Sequence, residues 1–516
     1  MRRHLKWLGV LVLQCLAVSS LHAEELDLTL LRRVQGPADA TVPDRRTVSW
    51  QPENTAAIVC DMWDDHWCKP AARRTAELAV RVNEVVKALR RKGVFIIHAP
   101  SGTMEHYEGY PARRRALDAP KAANLPDGIN RGGRLLKSED EAEWPVDVQH
   151  GCDGQGKPHA AWSKQIDTIQ IKEEDAITDR ASEMWNLMEA RGIENVLFMG
   201  VHTNMCVVNR PFGLRNLVRY GKNAVLVHDL TDAMYARRNP PHVSHFRGTE
   251  LVIEYIEEHI CPTTLSSDII DKPPFRFKND RRKTVLLAIA EREYHTWETL
   301  PAWADRWLAK EHDFRIREVY GWPKEDRNFI PAFGDHVSRA DLVVLSVRRR
   351  ALPKEDLDAF RAYLEAGKPL VSLRTASHAF DVRGDRPEGH AEWPDFDKDV
   401  LGCNYTGHHG HGDPVEVTAA EAGAEHPVLS GVAGSFRSHG SLYKSSPLAN
   451  GVTLLLRGRF QDKPPEPVAW VNRYREARVF YTSLGHPDDF EGENTPVEKM
   501  LTNAVFWALG KNPPKY

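Results

Sequence analysis

Gly200-Val201-His202-Thr203-Asn204-Met205-Cys206-Val207 follows the apolar run Asn195-Val196-Leu197-Phe198-Met199 and precedes Asn209 to Tyr220, where Phe212, Leu214, Leu217, Val218 and Tyr220 fall at near-helical spacing. A short apolar run reads as a buried strand, and the spacing after it as a helix. Cys206 is therefore expected at the point where a strand turns into a helix. The first-turn N–H groups of a helix have no intrahelical partner and its dipole is positive there. Such a place is expected to lower a thiol pKa and to offer donors to a developing oxyanion.

The surrounding chain repeats the strand–helix alternation. Thr55 to Cys60 reads as a buried strand ending at Asp61, Arg73 to Arg91 as an amphipathic helix closed by Gly93, and Val94 to His98 as a second strand. From Ala99 to Lys164 the chain is loop-like, rich in Gly, Pro, Arg and His, and an insertion of that length is usually functional. Thr168 to Lys172 reads as a third strand and Ser182 to Arg191 as a helix. After the Cys206 turn come a strand at Ala224 to Asp229 and a helix at Glu250 to His259. Alternation of this kind implies a mainly parallel sheet with helices on both faces. Ligands of such sheets bind at the carboxyl ends of the strands. Asp61, His98, Lys172, Gly200 to Cys206 and Asp229 all fall at such ends.

The chain has 516 residues, too many for one ordinary core. A charged, Pro-paired stretch at 273–282 is the expected linker between a domain at 24–272 and a second at 283–516. In the second, Val285 to Ala290, Phe314 to Val319, Leu342 to Val347 and Leu370 to Leu373 read as strands. Trp297 to Lys310, Lys354 to Ala366 and Val497 to Leu509 read as helices, with β signals at Val452 to Leu456, Val468 to Val471 and Arg478 to Ser483. The fold class expected is α/β: two three-layer α/β/α domains with mainly parallel sheets.

Hydrophobic residues at 41%, charged residues at 27% and a formal net charge of -3 describe globular protein without an electrostatic reason to bind nucleic acid. Residues 1–23 have the layout of a secretory signal: a basic start, an apolar run from Trp7 to Val18, and Leu21-His22-Ala23 before an acidic pair. Export to the periplasm or beyond is the expectation, with the signal as the only membrane-directed segment. Leu26 to Gln51 reads as a polar, irregular surface arm. Cys15 lies in the signal. Of the other six cysteines, Cys60, Cys68, Cys152, Cys206, Cys261 and Cys403, pairs Cys60–Cys68 and Cys152–Cys261 are both open.

Asp61, Lys172 and the Gly200 to Val207 turn, with Val227-His228-Asp229 ending the next strand, resemble the isochorismatase-like cysteine hydrolase family over roughly residues 50 to 270. The resemblance implies a three-layer sandwich around a parallel sheet and a catalytic triad of Cys206 as nucleophile, Asp61 as base and Lys172 as the cation. It also implies a cis peptide between Val201 and His202, with the N–H groups of His202 and Cys206 as oxyanion hole. The expected activity is hydrolysis of a C–N amide or ureido bond in a small-molecule substrate, with no cofactor required. The Asp-x-His metal pair of nicotinamidases is absent between Ala99 and Lys164, so no metal is expected in this domain. Trp63, His66, Trp67, His98 and Tyr107 are candidates for an aromatic substrate pocket, each equally readable as packing.

In the second domain Ala340 to Leu345, Arg374-Thr375-Ala376-Ser377-His378-Ala379-Phe380 and Arg478 to His486 resemble the trehalose-utilisation (ThuA-like) family over roughly 283 to 512. That family has a class I glutamine-amidotransferase-like fold and implies a carbohydrate-like ligand. The turn that carries a nucleophilic Cys in that fold holds only the hydroxyls Thr375 and Ser377, so glutaminase chemistry is not implied. Thr375, Ser377, His378, His408, His409 and His439 are the candidate pocket residues, with His486 near them. His408, His409 and His411, with Asp413, are candidate ligands for a divalent metal, against a plain Gly/His loop. Two other readings stay open: a binding protein without turnover, and a metal enzyme centred on the second domain. A homo-oligomer is compatible with everything in the sequence.

Overall fold

The computed structural model describes residues 24–36, 41–130, 144–147, 151–321, 327–410, 413–492 and 494–515. The expected signal at 1–23 and His411 lie outside the described residues, and no helix among the described residues is long and apolar enough to cross a membrane.

Two sheets organise the chain. The first has eight strands, in the order Thr41–Trp50, Leu26–Gln35, Thr263–Thr264, Asn223–Asp232, Asn195–Val201, Thr55–Cys60, Phe95–Ala99 and Ala176–Ile177. The last six of these run parallel to one another. Its central strand is buried along its whole length, and its residues alternate between two cores as a period of two requires. Ala57 and Val59 pack with Leu78, Val82, Val85 and Leu89 of the Lys69–Lys92 helix. Ala56, Ile58 and Cys60 pack with Met184, Leu214, Val252 and Ile256 from three helices on the other face. Full burial of one such aliphatic side chain contributes about 1.5–3 kcal/mol.

The second sheet has nine strands. Arg315–Tyr320, Thr284–Ala290, Leu342–Val347, Leu370–Leu373 and Ala477–Thr482 are parallel neighbours. Glu466–Tyr474, Thr453–Arg459, Val415–Ala419 and Ser435–Ser438 continue it antiparallel. Val285, Leu287 and Ile289 face one core, which includes Leu300, Trp303 and Leu501. Leu286, Ala288 and Ala290 face the other, with Phe333, Leu357 and Phe360. Both halves are thus α/β with helices on two faces, as expected, but both sheets are mixed, because the antiparallel strands lengthen one edge of each.

Three expectations need correction. Within Leu26 to Gln51, the strands Leu26–Gln35 and Thr41–Trp50 are paired antiparallel, in register from Leu26↔Trp50 to Gln35↔Thr41. Leu26, Leu28 and Leu30 alternate buried with exposed Asp27 and Thr29; the dense Arg, Asp and Pro content of the second strand hid that period. Thr168 to Lys172 forms no strand. Ile169 is buried, but its segment is bonded by side chains, Gln165 Nε2 to the Ile169 carbonyl at 3.2 Å and Arg90 Nη2 to the Gln170 carbonyl at 3.2 Å. The edge strand beside His98 is Ala176–Ile177 instead. Finally, Cys68 is bonded to Cys152, while Cys60 and Cys261 are free and buried. Both latter residues face the packed core under the sheet, where neither open pairing meets its partner.

The two halves are clamped together. Glu250, on the His245–His259 helix of the first, accepts from Arg282 at 2.9 and 3.1 Å and from Arg317 at 3.2 Å, with Arg315 at 3.3 Å. Val42 of the Thr41–Trp50 strand packs in the second half's core, and Arg45 Nη1 donates to the Glu318 carbonyl at 3.4 Å.

Candidate active site

Asp61 follows the central strand with φ 48, a left-handed conformation that a non-glycine residue adopts only when its surroundings require it. Its N–H is bonded to the Ala99 carbonyl at 3.1 Å. Its carboxylate is fully buried: Oδ1 accepts from the Ser101 N–H at 2.7 Å and Oδ2 from Arg210 Nε and Nη2 at 3.0 and 2.9 Å.

Cys206 lies on the neighbouring parallel strand's exit. Asn195–Val201 ends in a cis Val201–His202 peptide, followed by a single π turn, Thr203–Val207. The turn hides the helix start expected there, and the regular helix is only Leu214–Arg219. The thiol lies close enough to Asp61 and to the His202 backbone for both to bear on its charge. Gly200 makes this approach geometrically feasible. Its φ is +120, and a Cβ there would overlap the Cys60 carbonyl oxygen on the adjacent strand. Gly200→Ala is expected to destabilise the first domain by more than about 3 kcal/mol, because both backbone strain and overlap with backbone must be relieved. Urea unfolding followed by tryptophan fluorescence checks it; an unchanged midpoint would refute the close approach.

The electrostatics differ from the expectation for a helix-start thiol. Burial first, then the Asp61 carboxylate, push the Cys206 thiol well above the ordinary range, and Arg210 only partly opposes them. The resting pair is therefore a thiol beside a carboxylate. Arg210 is itself held charged, since the pull of Asp61 outweighs its burial. Burial keeps the His202 imidazole neutral, pushed down to about 3, and His66 likewise, to about 4.

Lys172 is not at this site. Its residue is exposed, and its N–H donates to Asp175 Oδ2 at 2.7 Å. The cation on Asp61 is Arg210, which sequence reasoning missed. Its signal was its position four residues after Cys206, one helical turn on.

One wall beside the thiol is aromatic. Trp63 stacks on Trp162 at 4.2 Å, Trp162 on His66 at 5.5 Å, and His66 meets His202 edge-on at 5.1 Å. Trp162 comes from the long insertion, whose 151–165 part is tied to the Lys69–Lys92 helix start by Cys68–Cys152. Trp67 packs around that disulfide. His98 and Tyr107 are engaged elsewhere. His98 is fully buried between Gln165 Oε1 at 3.0 Å and Asp175 Oδ2 at 3.2 Å, and the Tyr107 hydroxyl accepts the Gln165 N–H at 2.7 Å. They anchor the insertion rather than line the wall. Asp229 likewise binds Ser266 and the Phe275 N–H, fixing the chain that leaves the domain.

At the corresponding edge of the second sheet, the turn after Leu370–Leu373 begins with Arg374, φ 48 and 1% exposed. Thr375 is buried with its hydroxyl on the Val347 carbonyl at 3.1 Å, and Ser377 lies 3.1 Å from His378 Nδ1. His378 stacks on Tyr405 at 4.5 Å; burial, then Arg349, Arg348, Arg383 and Arg374, push it down to about 2. His408 is exposed, on a short bridge facing Tyr443, and His409 is half-buried. His439 is exposed, 6.5 Å from the His486 ring. The one cluster of three metal-type ligands among the described residues is Cys68, Cys152 and Asp153, whose two sulfurs are joined to each other.

Residues 306–508 match the family described as ThuA, trehalose utilisation. A ThuA-like protein from Bacteroides uniformis is 20% identical, with 47% of this chain and 98% of that one covered and a TM-score of 0.35. A cysteine hydrolase from Pseudomonas syringae pv. phaseolicola is 17% identical over 43% of this chain and 92% of that one, with a TM-score of 0.28. An isochorismatase family protein from Burkholderia thailandensis is 13% identical over 35% and 79%, with a TM-score of 0.21. No curated protein matches the chain.

Proposed function

We propose that the first domain is a thiol-dependent hydrolase of C–N amide or ureido bonds in a small-molecule substrate. The observation that carries the proposal is the Cys206–Asp61–Arg210 cluster, with a thiol beside a buried carboxylate at the ends of paired strands and a guanidinium on the carboxylate. Asp61 takes the thiol proton as sulfur attacks the carbonyl carbon, and the carbonyl oxygen gathers charge facing the N–H groups of His202 and Cys206. Asp61 then gives that proton to the departing nitrogen as the C–N bond breaks. Water, deprotonated by Asp61, cleaves the thioester and restores the thiol. Arg210 fills the role expected of Lys172. Its two charge-assisted hydrogen bonds hold the buried Asp61 carboxylate in place beside the thiol. Trp63, Trp162 and His66 would bound the acyl group.

The second domain binds a carbohydrate-like ligand in this reading, and the chain is exported. The 1–23 layout and the Cys68–Cys152 disulfide support export, since disulfides persist in oxidising compartments.

Incubation with a panel of primary amides and N-carbamoyl compounds, acid quench and peptide mapping is the test. An acyl mass added to the Cys206 peptide is expected. Turnover with no adduct, or with the adduct on another cysteine, would sink the mechanism.

A further inference from the structure

Three neighbouring parallel strands of the second sheet, Thr284–Ala290, Leu342–Val347 and Leu370–Leu373, end at one carboxyl edge. Ligands of such sheets bind at that edge. Arg348 and Arg349 follow the middle strand, and the Arg349 N–H donates to the His378 carbonyl at 3.0 Å, in the turn after the third. Arg327 Nη2 donates to the Arg349 carbonyl at 3.2 Å, so a third guanidinium stands over the same backbone. Arg349 Nη1 is held by the Asp381 carbonyl at 3.1 Å and its carboxylate at 2.6 Å, and Arg383 follows two residues on.

The charges gathered here do not balance. Arg348 pairs with Glu293 at 2.7 Å and Arg349 with Asp381 at 2.6 Å, but among the described residues' ion pairs neither Arg327 nor Arg383 has a carboxylate. Arg349 is 8% exposed, and its Nε has no hydrogen-bond partner. Burial, then Arg348, Arg349, Arg383 and Arg292, push Arg327 below the ordinary guanidinium value, and burial with three of the same arginines keeps His378 neutral. Like charges this close repel one another. A carboxylate or phosphate relieves that repulsion best, since it accepts two parallel bonds from one guanidinium.

The place is open to a ligand. Arg327 and Arg383 are exposed, and the Arg348 side chain is 29% exposed. Next to them Tyr405 stacks on His378 at 4.5 Å and tilts against Tyr443 at 5.0 Å; it is half-buried, the more exposed member of the stacked pair. A phenol on a neutral imidazole is a flat, uncharged surface with a polar tip. It suits the C–H face of a ring whose charged substituent reaches the arginines.

We propose that this edge of the second domain binds a sugar carrying an oxyanion, a carboxylate or a phosphate, with Arg327, Arg348 and Arg383 on the anion and Tyr405 against the ring. Arg349, fixed by Asp381, positions the backbone on which Arg327 rests. The sugar ring rests on the carbohydrate reading of the second domain given above; the anion does not.

Calorimetry on the full chain with glucose, glucuronate, glucose 6-phosphate and inorganic phosphate is the test. Glucuronate or glucose 6-phosphate is expected to bind at least about 10-fold more tightly than glucose, and whichever binds better identifies the anion. Arg327→Ser and Arg383→Ser, both at exposed positions, should each weaken that binding about 10-fold, with circular dichroism to check the fold. Arg437→Ser is the control, an exposed arginine on the Ser435–Ser438 strand, five strands beyond Leu370–Leu373 in the same sheet; it should leave binding unchanged. The proposal is overturned if none of the three anions binds more tightly than glucose. It is equally overturned if binding survives the loss of both Arg327 and Arg383, or falls as much in Arg437→Ser. Inorganic phosphate binding as tightly as glucose 6-phosphate, with neither weakened by Tyr405→Ala, overturns the carbohydrate class while the anion site stands.

Discussion

Cys206→Ala is expected to reduce amide hydrolysis to background, a loss on the order of a million-fold in kcat, the scale seen when a covalent nucleophile is removed. No other thiol can substitute. Among the described residues Cys60, Cys261 and Cys403 are buried, and Cys68 and Cys152 are consumed by each other. Asp61→Asn should cost less, about 10²–10⁴-fold, the usual contribution of a positioned general base. Arg210→Met carries the sharper information. Without the guanidinium, buried Asp61 loses the two hydrogen bonds that fix its Oδ2, so kcat should fall about 10-fold or more while KM changes little. A variant with an unchanged kcat would refute the role assigned to Arg210. Because burial and Asp61 hold the Cys206 thiol protonated at rest, alkylation by iodoacetamide at mildly acidic pH should be slow. Reactivity should appear only when the substrate carbonyl arrives to be attacked.

Glu250→Ala is expected to destabilise the joint between the halves by about 3–5 kcal/mol, the cost of removing one partner from a buried ion pair. The loss is large because it strands more than one cation. Arg282, Arg315 and Arg317 all converge on this carboxylate. They do not respond alike. The attraction of Glu250 and Asp280 outweighs burial and raises Arg282, whereas burial and the adjacent Arg317 push Arg315 down to about 9. Arg315 has the weaker share of the carboxylate. Glu250 itself is held well below the ordinary carboxylate range: burial opposes this, and the three arginines overcome it. A depressed folded-state pKa contributes stability that is present above the unfolded value, near ~4.3, and is lost as pH falls below it toward the folded value. Thermal unfolding of the wild type should therefore steepen its pH dependence below about pH 4.3, and Glu250→Gln should flatten it. Equal slopes in the two proteins would show that the clamp contributes nothing.

Local pattern carried much of this protein. The buried runs at 55–60, 195–201, 284–290 and 342–347 appear as strands, and the 69–92 helix shows its stripe and its Gly93 cap. Periodicity is a property of neighbouring residues, so it survives in the bare sequence. It also put Asp61 and Cys206 at the ends of strands that the structure pairs directly, Cys60 opposite Gly200. The cis Val201–His202 bond followed from the family resemblance alone.

What only the tertiary structure decided depends on long-range meetings of polar groups. Arg210 reaches Asp61 across 149 positions, and Cys68 reaches Cys152 across 84. Lys172 had the right charge in the right order but lies exposed on a turn, because the edge of the sheet is completed by Ala176–Ile177. The Glu250 clamp draws on a helix, a strand and the segment between the halves, so no window of sequence contains it. A hydrophobic period states which side of an element faces inward. Which charge meets which, once inside, is set by how the elements are stacked, since a buried ion finds its partner across the fold and not along the chain.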